Sequence, residues 1–412
     1  MKYTDPYLFI MALIAVAWGC NQAERNSSTA GPLHPKGSFG YDVAWMSKYH
    51  KDLFVLGKDS TGPQILVAPA YQGRVMTSTA EGLSGSSFGW VNHDLISSGK
   101  LQPHMNAFGG EERLWLGPEG GQFSFFFKKG VPFTFENWFV PKELDSEPFE
   151  AKYSDSDEVI FEKRMELVNY SGAPFNIKVQ RRVKLLTSSE VDSVLGMVLP
   201  GGLKLVGFET DNSITNLGQN AWNKKTGMPS IWILSMLNAS PSTTVVVPYR
   251  EGDSATLGKI MTDDYFGKVP AERLKADNGL IRFSADGKYR SKIGISPKRA
   301  LPFIGSYDSE KSVLTIARFS LPTQARDYVN SLWRLQDDPF SGDAVNAYND
   351  GPVDGKQMGN FYEIESSSPA AALDPGMSLG HKHVTIHIKG SKDQLEPIAR
   401  KIFGKGLDQF KL

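Results

Sequence analysis

The segment 106–121 (NAFGGEERLWLGPEGG) combines the residue types that proteins use to bind sugars. Alternate residues of a strand point to the same side, so Glu111, Arg113 and Trp115 share one face. A carboxylate and a guanidinium form paired hydrogen bonds with sugar hydroxyls, and an indole covers the apolar face of a pyranose. Glu119 follows in the same segment. We predict a carbohydrate site here; the alternative is a solvated strand with a surface ion pair.

A second group of chemically active side chains lies near the C terminus. Phe361, Glu363 and Glu365 share one face of a predicted strand, and His381 and His383 lie on one face of the last predicted strand. A His-x-His pair can bind zinc or another transition metal when further ligands complete the shell. Spacing identifies no third ligand, so we predict hydrogen-bonded histidines and no bound metal.

Arg181 is the one charged residue on the apolar face of the predicted strand Phe175–Leu186. An unpaired guanidinium in a protein core is strongly unfavourable, so this side chain needs a carboxylate partner. One of the acids in segment 106–121 is a candidate partner. Two interpretations remain open: a structural arginine–carboxylate bridge, and a charged residue that contacts substrate.

Strands must position these side chains, because short β-rich runs and turn sequences dominate the chain. The predicted strands are Gln64–Met76, Gln122–Lys128, Val159–Asn169, Phe175–Leu186, Ile231–Leu237, Thr243–Pro248, Lys292–Ile295, Val313–Leu321, Phe361–Glu365 and His383–Ile388. Helices are predicted only at Val43–Leu56 and Lys392–Phe403. The sequence therefore predicts an all-β fold, built as one large sandwich.

The overall charge excludes one class of partner. The chain has 45 basic and 45 acidic residues, so its formal net charge is zero. A nucleic-acid-binding surface needs a basic stripe to neutralise phosphates, so we expect no nucleic-acid partner.

The N terminus has the features of a lipoprotein signal. Lys2 precedes an apolar run from Leu8 to Gly19, and Cys20 is the only cysteine of the chain. This run is too short to cross about 30 Å of hydrocarbon, and the cysteine is the residue that a diacylglycerol would modify. We predict a signal peptide at 1–19, a flexible tether at 20–37 that begins with lipidated Cys20, and a single folded domain at 38–412.

The C-terminal motifs resemble the end of the galactose mutarotase (aldose 1-epimerase) family. In that family a glutamate in a short strand is followed by an LxPG turn and then by a histidine. Ile364-Glu365-Ser366 matches the strand, Leu373–Gly376 the turn and His381 the histidine. Near the N terminus, Gly73-Arg74-Val75 is similar to the family's first hairpin strand.

The mature chain more closely resembles a family of mutarotase-like lipoproteins of unknown function from Gram-negative bacteria. Its hallmarks are present as Gln72–Val75, Ser87–Trp90, Gly109–Gln122, Tyr265–Gly267, Tyr348–Pro352 and Phe361–Pro369. The resemblance implies a β-supersandwich with a concave cleft and few short helices. It also implies a protein tethered to a membrane, facing the periplasm or the outer-membrane surface.

The mutarotase resemblance assigns the general base to Glu365. A mutarotase also needs an acid that protonates the ring oxygen, and the family uses a histidine in an HxYFN-like motif that this sequence lacks. His104, which precedes segment 106–121, is our candidate substitute. Arg74, Arg181 and His381 complete the predicted substrate contacts.

Three functions are compatible with these residues. The chain is a carbohydrate-binding protein that acts on its sugar by acid–base chemistry, a non-catalytic carbohydrate-binding module, or a hydrolase that pairs Glu365 with Glu111, Glu119 or Glu363. None of the three requires a cofactor.

Overall fold

Alternation of apolar and polar side chains generates most of the fold, because each strand buries one face. The computed structural model describes residues 34–412, and within them lie 19 strands and six α-helices. The strands are β1 (Phe54–Leu56), β2 (Gln64–Ala68), β3 (Arg74–Thr79), β4 (Arg113–Gly117), β5 (Glu150–Ser154), β6 (Glu158–Val168), β7 (Pro174–Leu185), β8 (Lys204–Asn216), β9 (Ser230–Leu234), β10 (Leu237–Asn238), β11 (Thr243–Pro248), β12 (Leu274–Asp277), β13 (Leu280–Ser284), β14 (Ser291–Ile295), β15 (Phe303–Asp308), β16 (Val313–Phe319), β17 (Val345–Asn349), β18 (Phe361–Ser367) and β19 (Ser378–Lys389). The helices are α1 (Phe39–Met46), α2 (His93–Ser98), α3 (Lys142–Asp145), α4 (Ser188–Leu195), α5 (Ser254–Leu257) and α6 (Lys392–Phe403).

The strands form two large antiparallel sheets and one small one. The ten-stranded sheet has the order β12-β13-β11-β15-β16-β19-β8-β7-β6-β5. The six-stranded sheet has the order β14-β17-β18-β9-β4, and β10 also pairs with β18. Strands β1, β2 and β3 form the third sheet. The predicted all-β class, with large antiparallel sheets and few short helices, is confirmed.

The two large sheets pack face to face, and their apolar inner faces form the core. On the six-stranded sheet, Leu114, Ile233 and Ile364 point inward and are almost completely buried. On the ten-stranded sheet, Val179 and Phe208 point toward them and are fully buried. Inward residues of a strand alternate with outward ones, so Arg113 and Glu363 lie on the opposite face.

Helix α6 covers the back of the ten-stranded sheet and confirms the predicted helix at Lys392–Phe403. Ser391 caps its N terminus in a reciprocal capping box with Gln394. Ile398 packs with Ile386 of β19 in one apolar cluster. The back of β19 is therefore apolar. Its histidines share the opposite face, as the alternation predicted, and that face points to the interior.

Three predicted elements were wrong. The predicted strand Gln64–Met76 is two strands, β2 and β3, separated by a short 3-10 turn at Pro69–Tyr71. Helix α1 ends at Met46, and β1 replaces the end of the predicted helix Val43–Leu56 because Phe54 pairs with Val67 of β2. The predicted strand Gln122–Lys128 is a loop. Its aromatic side chains are buried in the core cluster, so the apolar run reflects burial without strand pairing.

The predicted signal peptide, Cys20 and the first part of the tether lie outside the described residues. Helix α1 begins at Phe39, directly after the predicted domain start, and Ser38 caps it by accepting a hydrogen bond from the Tyr41 N–H. Across residues 34–412, every helix is too short or too polar to span a bilayer.

Candidate active site

The outer face of the six-stranded sheet, which points away from the ten-stranded sheet, carries the main cluster of charged and aromatic groups. We call it the front face. Arg113 lies opposite Leu234, which in turn lies opposite Glu365 of β18. Arg113 and Glu365 therefore occupy the same row of the sheet. They are far apart in the sequence: 250 residues separate Arg113 from Glu363, the neighbour of Glu365 on this strand face. Segment 106–121 and the C-terminal strand β18 therefore meet on this face.

Glu365 is the most enclosed carboxylate of the front face. Its side chain is fully buried. The Oε2 atom accepts hydrogen bonds from Lys292 Nζ and from the Trp232 indole N–H, each at 2.9 Å. The Oε1 atom has no hydrogen-bond partner among the described residues. A buried carboxylate oxygen without a partner costs free energy unless a ligand or water satisfies it, so this atom is a candidate acceptor for a substrate hydroxyl.

Glu363 lies on the same face of β18, two residues from Glu365. Its Oε1 atom accepts a hydrogen bond from Arg113 Nη2 at 2.9 Å, and the Arg113 guanidinium lies 4.2 Å from the centre of the Trp115 ring. Burial raises the pKa of Glu363 to about 8; Arg113 opposes this effect and Glu365 adds to it. The net shift favours the protonated form of Glu363 relative to an exposed glutamate.

Lys292 links the carboxylates of the front face. Burial acts to lower its pKa, but the carboxylates of Glu365 and Glu119 outweigh burial, and the pKa is raised. The pKa of Glu119 is also raised: burial and the Glu365 carboxylate raise it, and Lys292 opposes them. Lys292 therefore remains charged and neutralises the carboxylate side of the cluster.

A small cavity lies beside this cluster. Trp232 and Lys292, the two donors to Glu365, line it, and its volume is about 20 Å³, enough for a water molecule. The hydroxyl of Ser230 lines it as well and has no partner among the described residues. Val329 and Ser331 also line the cavity. A cavity of this size admits no sugar ring unless a lining segment moves.

Arg181 does not lie on the front face, which corrects its assignment as a substrate contact. It is fully buried between the two large sheets. Its guanidinium donates to Glu112 Oε1 at 3.0 Å, to Asn212 Oδ1 at 2.8 Å and to the Gly73 carbonyl at 3.0 Å. Glu112 also accepts from the Thr210 hydroxyl. The structural interpretation of Arg181 is therefore the better one, and its partner comes from segment 106–121 as predicted.

His381 also lies between the sheets, on the other side of β18 from Glu365. Its Nε2 atom is 2.8 Å from the Ser366 hydroxyl, which also bonds His383 Nδ1 at 2.9 Å. Burial lowers the pKa of each histidine to about 3, so both are neutral. A substrate on the front face cannot reach His381, which corrects that assignment. Within residues 34–412, no cluster of three His, Cys, Asp or Glu side chains is placed to hold a metal ion.

Arg74 and Glu111 were also predicted to contact substrate, and neither lies on the front face. Arg74 is buried and donates to the Gly109 carbonyl at 2.6 Å. A side chain on Gly110 would collide with Arg74 Cδ at 2.3 Å, and its φ of +114° also favours glycine. Glu111 accepts hydrogen bonds from the Ser78 hydroxyl at 2.7 Å and from His387 Nε2 at 2.6 Å.

Within residues 34–412, none of the contacts of His104, the predicted acid, involves a carboxylate of the front face. Its Nδ1 atom is 2.7 Å from the Trp138 carbonyl oxygen, and its ring packs against the partly exposed rings of Phe135 and Phe139. No hydrogen bond or ion pair joins it to Glu365 within the described residues. Glu363 is the better candidate for the acid, because it shares a strand face with Glu365 and burial raises its pKa.

Lys292 and Trp232 were not among the site residues predicted from the sequence. Trp232 alternates with the inward Ile231 and Ile233, so its outward direction was available from the period of β9. Lys292 precedes Ile293 in a strand that is buried throughout, and a lysine in such a strand indicates a buried partner. The partner itself, 73 residues away, depends on the sheet order.

Solved structures similar to this chain belong to several bacteria. A protein of Synechocystis sp. PCC 6803 aligns with 82% of this chain and 96% of its own, with 12% identity and a TM-score of 0.49. A galactose mutarotase-like protein from Lactobacillus casei aligns with 82% of this chain and 99% of its own, with 8% identity and a TM-score of 0.45. A galactose mutarotase related enzyme from Lactobacillus acidophilus aligns with 82% of this chain and 97% of its own, with 8% identity and a TM-score of 0.44.

Comparison at the level of sequence gives a single family. No curated protein matches the sequence. Residues 37–412 match the model of DUF6786, described as a family of unknown function.

Proposed function

Because this chain belongs to DUF6786, a family of unknown function, we propose its function from the geometry of the front face. We propose that the protein binds a carbohydrate there and acts on it by general acid–base catalysis, with Glu365 as the base and Glu363 as the acid. The sequence resemblance to galactose mutarotases supports the choice of Glu365.

The observation that carries this proposal is the pairing of two different carboxyl groups on one strand face. Glu365 is held by the cation Lys292 and by the Trp232 indole, both of which stabilise its charged form, and one oxygen stays free. Glu363, two residues away, has its pKa raised to about 8 by burial. Adjacent acids whose environments separate their pKa values take opposite roles in proton transfer.

These roles suffice for the interconversion of sugar anomers. Glu365 accepts the proton of the anomeric hydroxyl while Glu363 gives its proton to the ring oxygen, so the bond between that oxygen and the anomeric carbon breaks. The open-chain aldehyde rotates about its C1–C2 bond. Ring closure on the other face returns both protons, so the enzyme and the atom count are unchanged.

The aromatic residues of the front face suit the same substrate. Trp115 and Trp232 form an edge-to-face pair with ring centres 5.6 Å apart. An indole face packs against the C–H groups of a pyranose while charged groups take the hydroxyls. In this proposal, the sugar displaces the segment that carries Val329 and Ser331 and enters beside the indoles.

We also propose that Cys20 carries a lipid and tethers the domain to a membrane of a Gram-negative bacterium, at the periplasmic side or outer-membrane surface. The apolar run Leu8–Gly19 before the only cysteine supports this. Metabolic labelling with a fatty acid in the native host should mark the wild type and not Cys20→Ala. Equal labelling of both proteins would contradict the tether.

Glu365→Gln tests the acid–base proposal, with Glu166→Gln on the exposed side of β6 as the matched control. The protein is mixed with freshly dissolved α-anomers of aldoses, and the approach to equilibrium is followed by polarimetry. We expect the wild type and the control to accelerate it and Glu365→Gln to abolish turnover with little change in sugar affinity, because glutamine keeps the shape but accepts no proton. Undiminished turnover in Glu365→Gln would exclude the proposed base.

Calorimetric titration of the same proteins separates catalysis from binding alone. A non-catalytic module would show no turnover, and Glu365→Gln would weaken its sugar affinity by about 1.5–3 kcal/mol, the contribution of a charged hydrogen bond.

A further inference from the structure

A second and much larger cavity lies at one end of the space between the two large sheets. Its volume is about 750 Å³, which falls within the range of small-molecule sites. Thr315 of β16, Ser306 of β15 and His387 of β19 line it from the ten-stranded sheet, and Tyr362 of β18 lines it from the other side. It is open to solvent where Ser86 and Lys311 lie exposed.

This cavity is separate from the front face. Tyr362 points toward the ten-stranded sheet, because its hydroxyl bonds the Ser306 hydroxyl at 2.7 Å. Glu363, the next residue, points to the front face and bonds Arg113. Strand β18 therefore stands between the two sites, and a ligand in the cavity does not contact the proposed acid and base.

A buried network holds one wall of the cavity in place. His387 bonds the Thr315 hydroxyl through Nδ1 at 2.8 Å and Glu111 through Nε2 at 2.6 Å. Phe88 stacks on the imidazole with ring centres 4.3 Å apart. Glu111, placed by its sequence among sugar-binding residues, therefore supports this wall instead of the front face. Both imidazole nitrogens have partners, so the aromatic surface that a ligand would meet is preorganised.

Except for Lys36, which is exposed, the charged groups around the cavity have partners within the described part of the protein. Asp42 pairs with His93 at 2.8 Å, and Lys389 with Glu81 at 2.9 Å. Asp308 accepts hydrogen bonds from two serine hydroxyls and lies 3.5 Å from Lys311 Nζ. A ligand that carried a net charge would have to compete with these partners, so the lining favours a neutral one.

The remaining lining combines aromatic rings with hydroxyl and amide groups. Trp90 and Phe88 are both partly exposed and line the cavity. The amide nitrogen of Asn238 donates to the carbonyls of Ser87, Phe88 and Gly89, which fixes the side chain and leaves its Oδ1 without a donor among residues 34–412. Fixed acceptors beside aromatic rings match the hydroxyls and the apolar C–H faces of sugars.

We propose that this cavity is a second ligand site that binds a neutral oligosaccharide of two or three units. The size of the cavity, the paired charges at its edge and the aromatic and amide lining carry this assignment. The site binds its ligand without catalysing a reaction, since both ring nitrogens of His387 already have hydrogen-bond partners. It is independent of the proposed reaction on the front face.

Val313→Trp tests the second site, because Val313 lines the cavity and is only partly buried, so an indole there fills ligand space with little disturbance of the core. Val198→Trp is the matched control, because Val198 is 82% exposed on a loop. Glu365→Gln reports on the front face. Calorimetry and saturation-transfer NMR use maltose, cellobiose, lactose and their trisaccharides as neutral probes, and digalacturonate and chitosan dimers as charged ones.

We expect at least one neutral probe to bind the wild type, Val198→Trp and Glu365→Gln equally, and to lose about tenfold or more in affinity for Val313→Trp. Three results would overturn the proposal: no neutral probe binds the wild type, Val313→Trp leaves the affinity unchanged, or only a charged probe binds. Loss of binding in Glu365→Gln with retention in Val313→Trp would assign the sugar to the front face alone. That last pattern contradicts the second site but not the role of Glu365 as the base, so the two proposals fail by different results.

Discussion

Two buried ion pairs lie on opposite faces of the six-stranded sheet, and they differ in what surrounds them. Glu112 and Arg181 are 3.0 Å apart between the sheets, with both side chains fully buried. Glu365 and Lys292 are 2.9 Å apart on the front face, with Lys292 11% exposed and Glu365 fully buried. Burial and distance are therefore nearly the same for the two pairs.

Their neighbours separate structure from chemistry. Arg181 donates to Gly73 and Asn212 as well as to Glu112, so it joins three parts of the chain. Lys292 and Trp232, the donors to Glu365, line a cavity. A buried charge therefore identifies a site only where space for a ligand adjoins it.

The largest expected effect is on the interior pair. Arg181→Met should lower the free energy of unfolding by about 3–5 kcal/mol, because it leaves Glu112 charged and unpaired in the core. Each carboxylate keeps one neutral donor, Thr210 for Glu112 and Trp232 for Glu365. Lys292→Met should cost less, about 1–3 kcal/mol, because the donors of Glu365 line a water-sized cavity and water can replace the lost one. Urea denaturation of both variants gives the two values.

Arg164→Met is the control for that comparison, because the Arg164 side chain is 68% exposed. We expect a change below about 0.5 kcal/mol. Equal losses in Arg181→Met and Lys292→Met would remove the distinction between the two faces.

A smaller effect concerns protonation on the interior face. Burial lowers the pKa of His383 from 6.5 to about 3, so the unfolded chain binds a proton below pH 6.5 that the folded chain does not. Stability should therefore fall as pH falls below 6.5, by about 1.4 kcal/mol per pH unit from this group. In His383→Gln that contribution should be absent.

Denaturation at pH 7, 6 and 5 gives the two slopes. Parallel slopes for the wild type and His383→Gln would show that the histidine is not held neutral. The sign is opposite to that expected for Glu363, whose raised pKa favours the folded state as pH falls.

Alternation within strands predicted much of the front face. Arg113, Trp115, Glu363 and Glu365 follow from period two in β4 and β18, because each strand is long enough to keep one register. Glu111 did not follow, because β4 starts at Arg113 and the residues before it pair with β3 at Val75. Alternation predicts which residues share a face only as long as the strand keeps the same pairing partner.

The remaining site residues depend on which strands are neighbours. Lys292 reaches Glu365 because β17 lies between β14 and β18, and sheet order is set by the whole chain. His104 precedes segment 106–121 in sequence but contacts Trp138, so nearness in sequence misassigned it. The fold class was easier to predict than the site. Turn sequences and strand patterns depend on residues close together in the sequence, whereas the charge pairs join distant ones.

The central claim is that Glu363 is the acid of the front face and carries the proton that it donates. Infrared difference spectra between the wild type and Glu363→Gln, recorded from pH 5 to 9, test it directly, and Glu365→Gln gives the companion spectrum. We predict a protonated carboxyl band that is present at pH 6, absent in Glu363→Gln and lost as the pH rises through about 8. A spectrum at pH 6 in which Glu363 shows only the carboxylate band would contradict the assignment of Glu363 as the acid.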